Sequence, residues 1–221
     1  MEKQSDNLES IGSNILFGNI QGLYISKDLN KPSILLDMAK IYDAFCICLC
    51  ETHLSDNISD SEIVTEGWNI FRSDRKDRIC GGVSIYINEN IPISEKFTFS
   101  NSMCETVGIF LPLSEIVIIT TYRPPNCSHE KFQESICAIK EWIATVVKTC
   151  GNVPKIFLNG DLNFPTMADW DDNIITKFND NTLTSQETGR PLSVTNAQIK
   201  ILYEITEEWL LSQNIYEEKQ D

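Results

Sequence analysis

Residues 156–165 read "IFLNGDLNFP". An apolar run stops at Gly160. Asp161 and Asn163 then stand two apart, and Pro165 closes the loop. A short apolar run bounded by Gly and Pro predicts a buried strand. A carboxylate and a carboxamide just past its end predict a site at the rim of a sheet. If the backbone stays extended there, Asp161 and Asn163 face the same way.

Upstream, "SHEKFQESICAIKEWIATVVKTC" is the clearest helix. Ser128 is its expected N-cap, and Phe132, Ile136, Ile139, Ile143 and Val147 form one apolar face. Gly151 and Pro154 stop it. A second helix is predicted in "PSILLDMAKIYD", with Pro32 in its first turn and an apolar face through Ile34, Leu35, Met38 and Ile41. Strands are predicted in "NILFGN", in "AFCICLC" before Glu51, and in "WNIFRSD" and "GGVSIYIN" either side of a loop. "ETVGIFL" and "EIVIITTY" form a predicted hairpin with its turn near residues 112–114. Residues 166–195 read as mostly loop with room for one short helix, and a last helix is expected near 196–213. Strands in direct succession, mixed with helices, predict a layered α/β protein with mixed or antiparallel sheets.

Four predicted strands end on polar groups that could serve a common site. These ends lie near Asn19, at Glu51, at Tyr122 with Arg123, and at Asp161 with Asn163. Glu51 with Asn19 could hold a hard divalent cation through oxygen. Asn163, Tyr122 and Arg123 could stabilise the charge that grows on a phosphodiester under attack. Asp161 could position or deprotonate the attacking water.

The bulk numbers bound the function classes. The chain has 221 residues, enough for one large domain or two small ones, and 42% hydrophobic content. Its net charge of −14 argues against a general polyanion binder. The short segment "RSDRKDR" (72–78) is the basic exception. No run approaches a membrane span and no signal peptide opens the chain, so an intracellular location without membrane contact is expected. The eight cysteines are at 46, 48, 50, 80, 104, 127, 137 and 150. Three of them alternate along "FCICLC", an arrangement of buried free thiols rather than disulfides. No spacing suits zinc.

The ordered series "GNIQGL", "CETHL", "FRSDR…GGVSIYI", "TYRPP" and "LNGDLNFP" resembles the endonuclease domain of non-LTR (LINE-type) retrotransposons, a branch of the endonuclease/exonuclease/phosphatase superfamily. The resemblance runs from about residue 14 to about 213. It implies a four-layer αββα sandwich of two mixed β-sheets flanked by helices, with residues 1–13 a disordered tail and 14–221 one domain. It implies Mg²⁺-dependent (or Mn²⁺-dependent) cleavage of a DNA strand that leaves a 3′ hydroxyl. By that resemblance Asn19 and Glu51 match the metal motifs and Tyr122 the phosphate-orienting tyrosine. Asp161 matches the residue that activates water, and Asn163 the phosphate-binding amide. Arg72, Asp74 and Arg75 match a loop pattern of the retroelement branch, and Arg72, Arg75 and Arg123 are the expected substrate contacts.

The family pattern also includes a late Ser-Asp-His motif. Here the chain stops at "NIYEEKQD", and its two histidines, His53 and His129, read as structural or surface residues. A domain missing its last strands, with little or no activity and weak DNA binding, is therefore expected. The alternatives are an inactive remnant, or a phosphoesterase of the same superfamily with another substrate. A reverse transcriptase in cis, if the natural chain is longer, and a nuclear location when active complete the expectation.

Overall fold

In the structure, a computed structural model, residues 12–24, 31–76, 80–125, 129–151 and 154–163 are described. Two strand–helix–strand units dominate it. The first is β1 (Asn14–Asn19), α1 (Lys31–Ile41) and β2 (Ala44–Cys50). A one-turn helix α2 (Asp60–Ile63), strands β3 (Trp68–Ser73) and β4 (Val83–Asn88), and then β5 (Glu95–Ser100) and β6 (Glu105–Leu111) follow. The second unit is β7 (Ile116–Tyr122), α3 (His129–Cys150) and β8 (Lys155–Asp161).

Each unit lays two parallel strands at the edge of its own sheet. One sheet has the order β1-β2-β4-β3, the other β5-β6-β7-β8. In each, only the helix-connected pair is parallel, and the other pairings are antiparallel. That follows from connection length, because a parallel partner needs a crossover and a hairpin does not.

The sheets pack face to face over Cys46, Cys48, Cys50, Val83, Ile85, Ile87, Val107, Ile109 and Ile118. The alternating thiols of "FCICLC" thus point into the inter-sheet core. Cys46 and Cys48 lie 3.9 Å apart through sulfur and are not bonded to each other. Helix α1 covers the outer face of the first sheet through Leu36 and Ala39, and α3 covers the second through Ile139, Ile143 and Val146. The result is the expected four-layer αββα sandwich of two mixed sheets.

Several local expectations shift. Helix α1 buries Pro32, Leu36 and Ala39, while Ile34, Met38 and Ile41 are exposed. Positions 32, 36 and 39 form an equally regular helical stripe, and Ala39 lets the helix sit close to Ala44 and Ile47. Strand β5 and helix α2 were not anticipated. In β5, Phe97 and Phe99 pack toward α3 while their neighbours face water. Residues 12 and 13, assigned to the tail, are docked: Ser13 N–H donates to the Asp43 carbonyl at 2.8 Å. A Cβ at Gly12 would meet that same carbonyl at 2.5 Å.

The rest of the tail, the Ser128 cap, the Phe132 side chain, the 166–195 loop, the 196–213 helix and the missing late strands lie outside the described residues. Edge strands β1 and β8 carry exposed aromatics, Phe17 and Phe157. Among the described residues no helix is long and apolar enough to cross a membrane.

Candidate active site

Both parallel pairs end at the same end of the sandwich. Asn19 is in register with Cys50, so Glu51 follows one step beyond. Tyr122 is in register with Asp161. Across the gap between the sheets, Cys50 Sγ contacts the Thr121 carbonyl at 3.4 Å. Four side chains that are far apart in sequence therefore meet. Asn19 Nδ2 donates to Glu51 Oε1 at 3.0 Å and to Asp161 Oδ2 at 3.2 Å. One carboxamide bridges two carboxylates, one from each sheet. The amide orientation is the one that satisfies this network. Asn19 Oδ1 meanwhile accepts from Gln21 N–H at 3.2 Å.

Tyr122 closes the group. Its phenol faces Glu51 and is held well above the usual tyrosine range, first by burial and then by the negative charge of Glu51. It is a donor at any ordinary pH. Arg75 lies over the Tyr122 ring, 5.6 Å from its centroid.

Asn163 departs from the expected geometry. Its φ is +50°, so the backbone past the strand is not extended. The chain curls, and Asn163 N–H donates to Asp161 Oδ1 at 2.9 Å. Its side chain donates to the Arg123 carbonyl at 2.7 Å. Gly160 makes the close approach possible. At φ +144°, a Cβ there would stand 1.9 Å from the Thr121 carbonyl oxygen.

The three arginines expected to touch substrate are engaged within the protein. Arg75 forms a bidentate ion pair with Glu105, its Nη2 donating at 2.9 Å, and both side chains are buried. Arg72 pairs with Asp60 at 3.1 Å and with Asp74 at 3.5 Å, and donates to the Ile58 carbonyl at 2.7 Å. Arg123 donates to the carbonyls of Leu162, Pro124 and Asn163. Arg123 thus fastens the loop after β8 to the end of β7. The basic segment turns inward at two of its arginines, leaving Lys76 exposed.

Glu105 is a support that the sequence did not reveal, and Gly81 and Gly82, read as a turn or bulge, are its companions. Gly82 N–H donates to Glu105 Oε2 at 3.3 Å. A Cβ at Gly81 (φ +110°) would come 2.8 Å from the Arg75 guanidinium, and one at Gly82 (φ +83°) 2.7 Å from Thr52 Oγ1. The double glycine of "GGVSIYI" is what lets the turn seal this buried pair. His53 also lies beside this group. It was expected to be structural or superficial, yet its Nε2 lies 3.6 Å from Glu51 Oε2.

The donor set suits a hard cation. Glu51 and Asp161 offer oxygens held within reach of one amide, which fits the one or two carboxylates and several waters that Mg²⁺ takes. Among the described residues no group of three or more His, Cys, Asp or Glu converges on a metal position, so a closed zinc-type site is not formed there. Asn19 meets the carboxylates through its NH₂ group, so in this geometry it orders them.

No family model and no curated protein sequence matches the chain. Solved structures do. A 3′-5′ exonuclease, NExo from Neisseria meningitidis, superposes with a TM-score of 0.57 at 17% identity, over 86% of this chain and 70% of its own. An AP endonuclease from Archaeoglobus fulgidus gives 0.55 at 16% identity, over 88% and 70%. The chain shares the fold of these two enzymes. The endonuclease domain of TRAS1, a telomere-specific non-LTR retrotransposon, also aligns, at 17% identity over 86% of this chain and 69% of its own, with a TM-score of 0.48. On this fold, the Asn19–Glu51–Tyr122–Asp161 group occupies the strand tips where the two sheets meet.

Proposed function

We propose that the chain is a divalent-metal-dependent phosphodiesterase acting on DNA, of the endonuclease kind that serves non-LTR retrotransposons. The observation that carries this reading is the Asn19 amide bridging Glu51 and Asp161. It draws two acids from opposite sheets to one point beside a protonated phenol. Isolated carboxylates repel, and a fold that gathers them with an amide between is arranged for a cation. Similarity to proteins described as an exonuclease and an AP endonuclease, and to a Neisseria 3′ phosphatase bound to a product DNA hairpin, adds support for DNA as the substrate.

Each residue has a part. Glu51 and Asp161 would hold Mg²⁺, or Mn²⁺ in its place; when bound, the ion supplies charge neutralisation for the phosphate. Asp161 orients water and accepts its proton. Tyr122, kept protonated, donates to a phosphate oxygen as charge develops there. Asn163 and Arg123 fix the loop that carries Asp161. Arg75 supports Tyr122 from beneath, and Arg72 braces the neighbouring loop, so neither is assigned to the substrate here. On the same reading the domain works in the nucleus, in cis with a reverse transcriptase.

Supercoiled plasmid with Mg²⁺ tests it. Weak Mg²⁺-dependent nicking at most is expected of the purified chain. Asp161→Ala should lower it about 100-fold or more, as loss of a catalytic group commonly does. The alternative outcome is binding without turnover. DNA retention without Mg²⁺-dependent nicks would select it. Nicking unchanged by Asp161→Ala would reject the catalytic assignment. Cleavage of other phosphoesters but not of DNA would move the chain to another branch of the superfamily.

A further inference from the structure

His53 is not accounted for by the roles above, and its surroundings are unusual. Glu51 and His53 both have left-handed backbone, φ +53° at each. Left-handed backbone at a non-glycine residue is costly, on the order of 1–2 kcal/mol, and two instances in three residues need an opposing force. The hydrogen bonds supply it from both sides. Gly22 N–H donates to the Glu51 carbonyl at 2.7 Å, and Leu23 N–H to the Thr52 carbonyl at 2.8 Å. Thr52 and His53 N–H donate to the carbonyls of Gly82 and Gly81 at 3.2 and 2.8 Å. Thr52 is fully buried between them. This frame brings the side chains of residues 51 and 53 together.

The contact itself is specific. His53 Nε2 is buried and has no hydrogen-bond partner. The carboxylate oxygen it approaches is Glu51 Oε2, at 3.6 Å. The other oxygen of Glu51 is already engaged by Asn19. A buried polar nitrogen without a hydrogen-bond partner is unfavourable by about 1–3 kcal/mol. A closure of a few tenths of an ångström would make this one a bond, and site hydrogen bonds often tighten when the site is filled.

We propose that His53 is a positioning residue that acts through Glu51. Its imidazole restrains the second carboxylate oxygen and so sets the orientation in which Glu51 receives a divalent cation. The proposal rests on the reading of Glu51 as a metal-binding carboxylate. It accounts for a histidine at this place, since His tolerates left-handed backbone better than most residues and brings a donor that can span to residue 51.

Mn²⁺ binding to the full chain, followed by calorimetry and by electron paramagnetic resonance, tests it. His53→Asn keeps the backbone tolerance but shortens the side chain out of reach. His53→Phe keeps the ring without a donor, and serves if the Asn variant fails to melt cooperatively. Loss of a group that orients a metal ligand commonly costs about 10- to 100-fold in affinity, and a fall of about 10-fold or more is expected for both variants. His53→Gln, which restores a donor, should recover most of that loss. Wild-type affinity in a folded Asn or Phe variant, alongside lost binding in Glu51→Gln, would overturn the role of His53 alone. Binding absent in the wild type, or unaffected by Glu51→Gln, would overturn the metal reading and this inference with it.

Discussion

The β1–α1–β2 and β7–α3–β8 units are the same device used twice, once per sheet. Each runs two parallel strands toward the site, and each ends a strand with Gly followed by a polar residue, Gly18-Asn19 in one and Gly160-Asp161 in the other. They differ in how they are held. The second unit is clamped: α3 buries four apolar side chains, Gly160 touches the neighbouring backbone, and Arg123 fastens the loop. The first is loosely covered. Its helix leaves Ile34, Met38 and Ile41 exposed, and its polar end is shaped by two left-handed residues pinned by neighbouring loops. One unit therefore sets the position of the site by packing, the other by backbone hydrogen bonds. A carboxylate on a packed strand needs no further guide, whereas one on a curled loop does, and Asn19, Tyr122 and His53 surround Glu51.

The two penultimate glycines give the sharpest way to break this comparison. Gly160→Ala places a methyl into the Thr121 carbonyl at a φ that alanine avoids. A loss of about 3 kcal/mol or more is expected, in line with severe backbone strain, seen as a collapse of the urea midpoint or as insoluble protein. Gly18→Ala meets nothing within 4 Å and should be neutral or slightly stabilising. Equal effects at both positions would end the contrast.

Next in size is the buried ion pair that joins the sheets near Tyr122. Arg75→Ala strands Glu105 without its counter-charge, and a cost of about 3–5 kcal/mol is expected, measured by chemical denaturation. A mild effect would mean that water reaches Glu105.

The helices should then separate. Ile143→Ala in α3 opens a cavity in a fully buried site and should cost about 2–5 kcal/mol. Ile41→Ala in α1, at a position 75% exposed, should stay within about 0.5 kcal/mol. Paired denaturation curves check both.

The smallest effect concerns Tyr122. Burial and the Glu51 charge raise its ionisation above the ordinary value of 10.0. With the folded-state value above the unfolded one, its contribution is complete below pH 10 and declines as the pH rises through the folded-state value. Alkaline titration at 295 nm, wild type minus Tyr122→Phe, should show the missing phenolate only above pH 10. A signal at lower pH would mean the phenol is open to water. The Phe variant itself should lose only about 1 kcal/mol of stability.

Much of this was legible in the sequence. Strand ends at Asn19, Tyr122 and Asp161 were readable because an apolar run that stops on a polar residue marks a sheet rim. The inward thiols of Cys46, Cys48 and Cys50 followed from period-two spacing. Other features were hidden because they are tertiary. The face of α1 was ambiguous between two stripes of equal regularity, and the small residue Ala39 chose between them. Arg75 looked like part of a basic surface loop because its partner, Glu105, is thirty positions away. Left-handed backbone at Glu51, His53 and Asn163 has no one-letter signature, so the turn of Asn163 away from extension and the approach of His53 to Glu51 could not be seen. Strand β5 did carry a signal, the alternation of Phe97 and Phe99 across six residues.

The bridge from Asn19 to Asp161 joins residues 142 positions apart. During synthesis the amide leaves the ribosome long before the carboxylate it must meet. Until Asp161 emerges, Asn19 and Glu51 lack the acid that the second sheet supplies. The group is thus a late product of folding, complete only when the two sheets have docked.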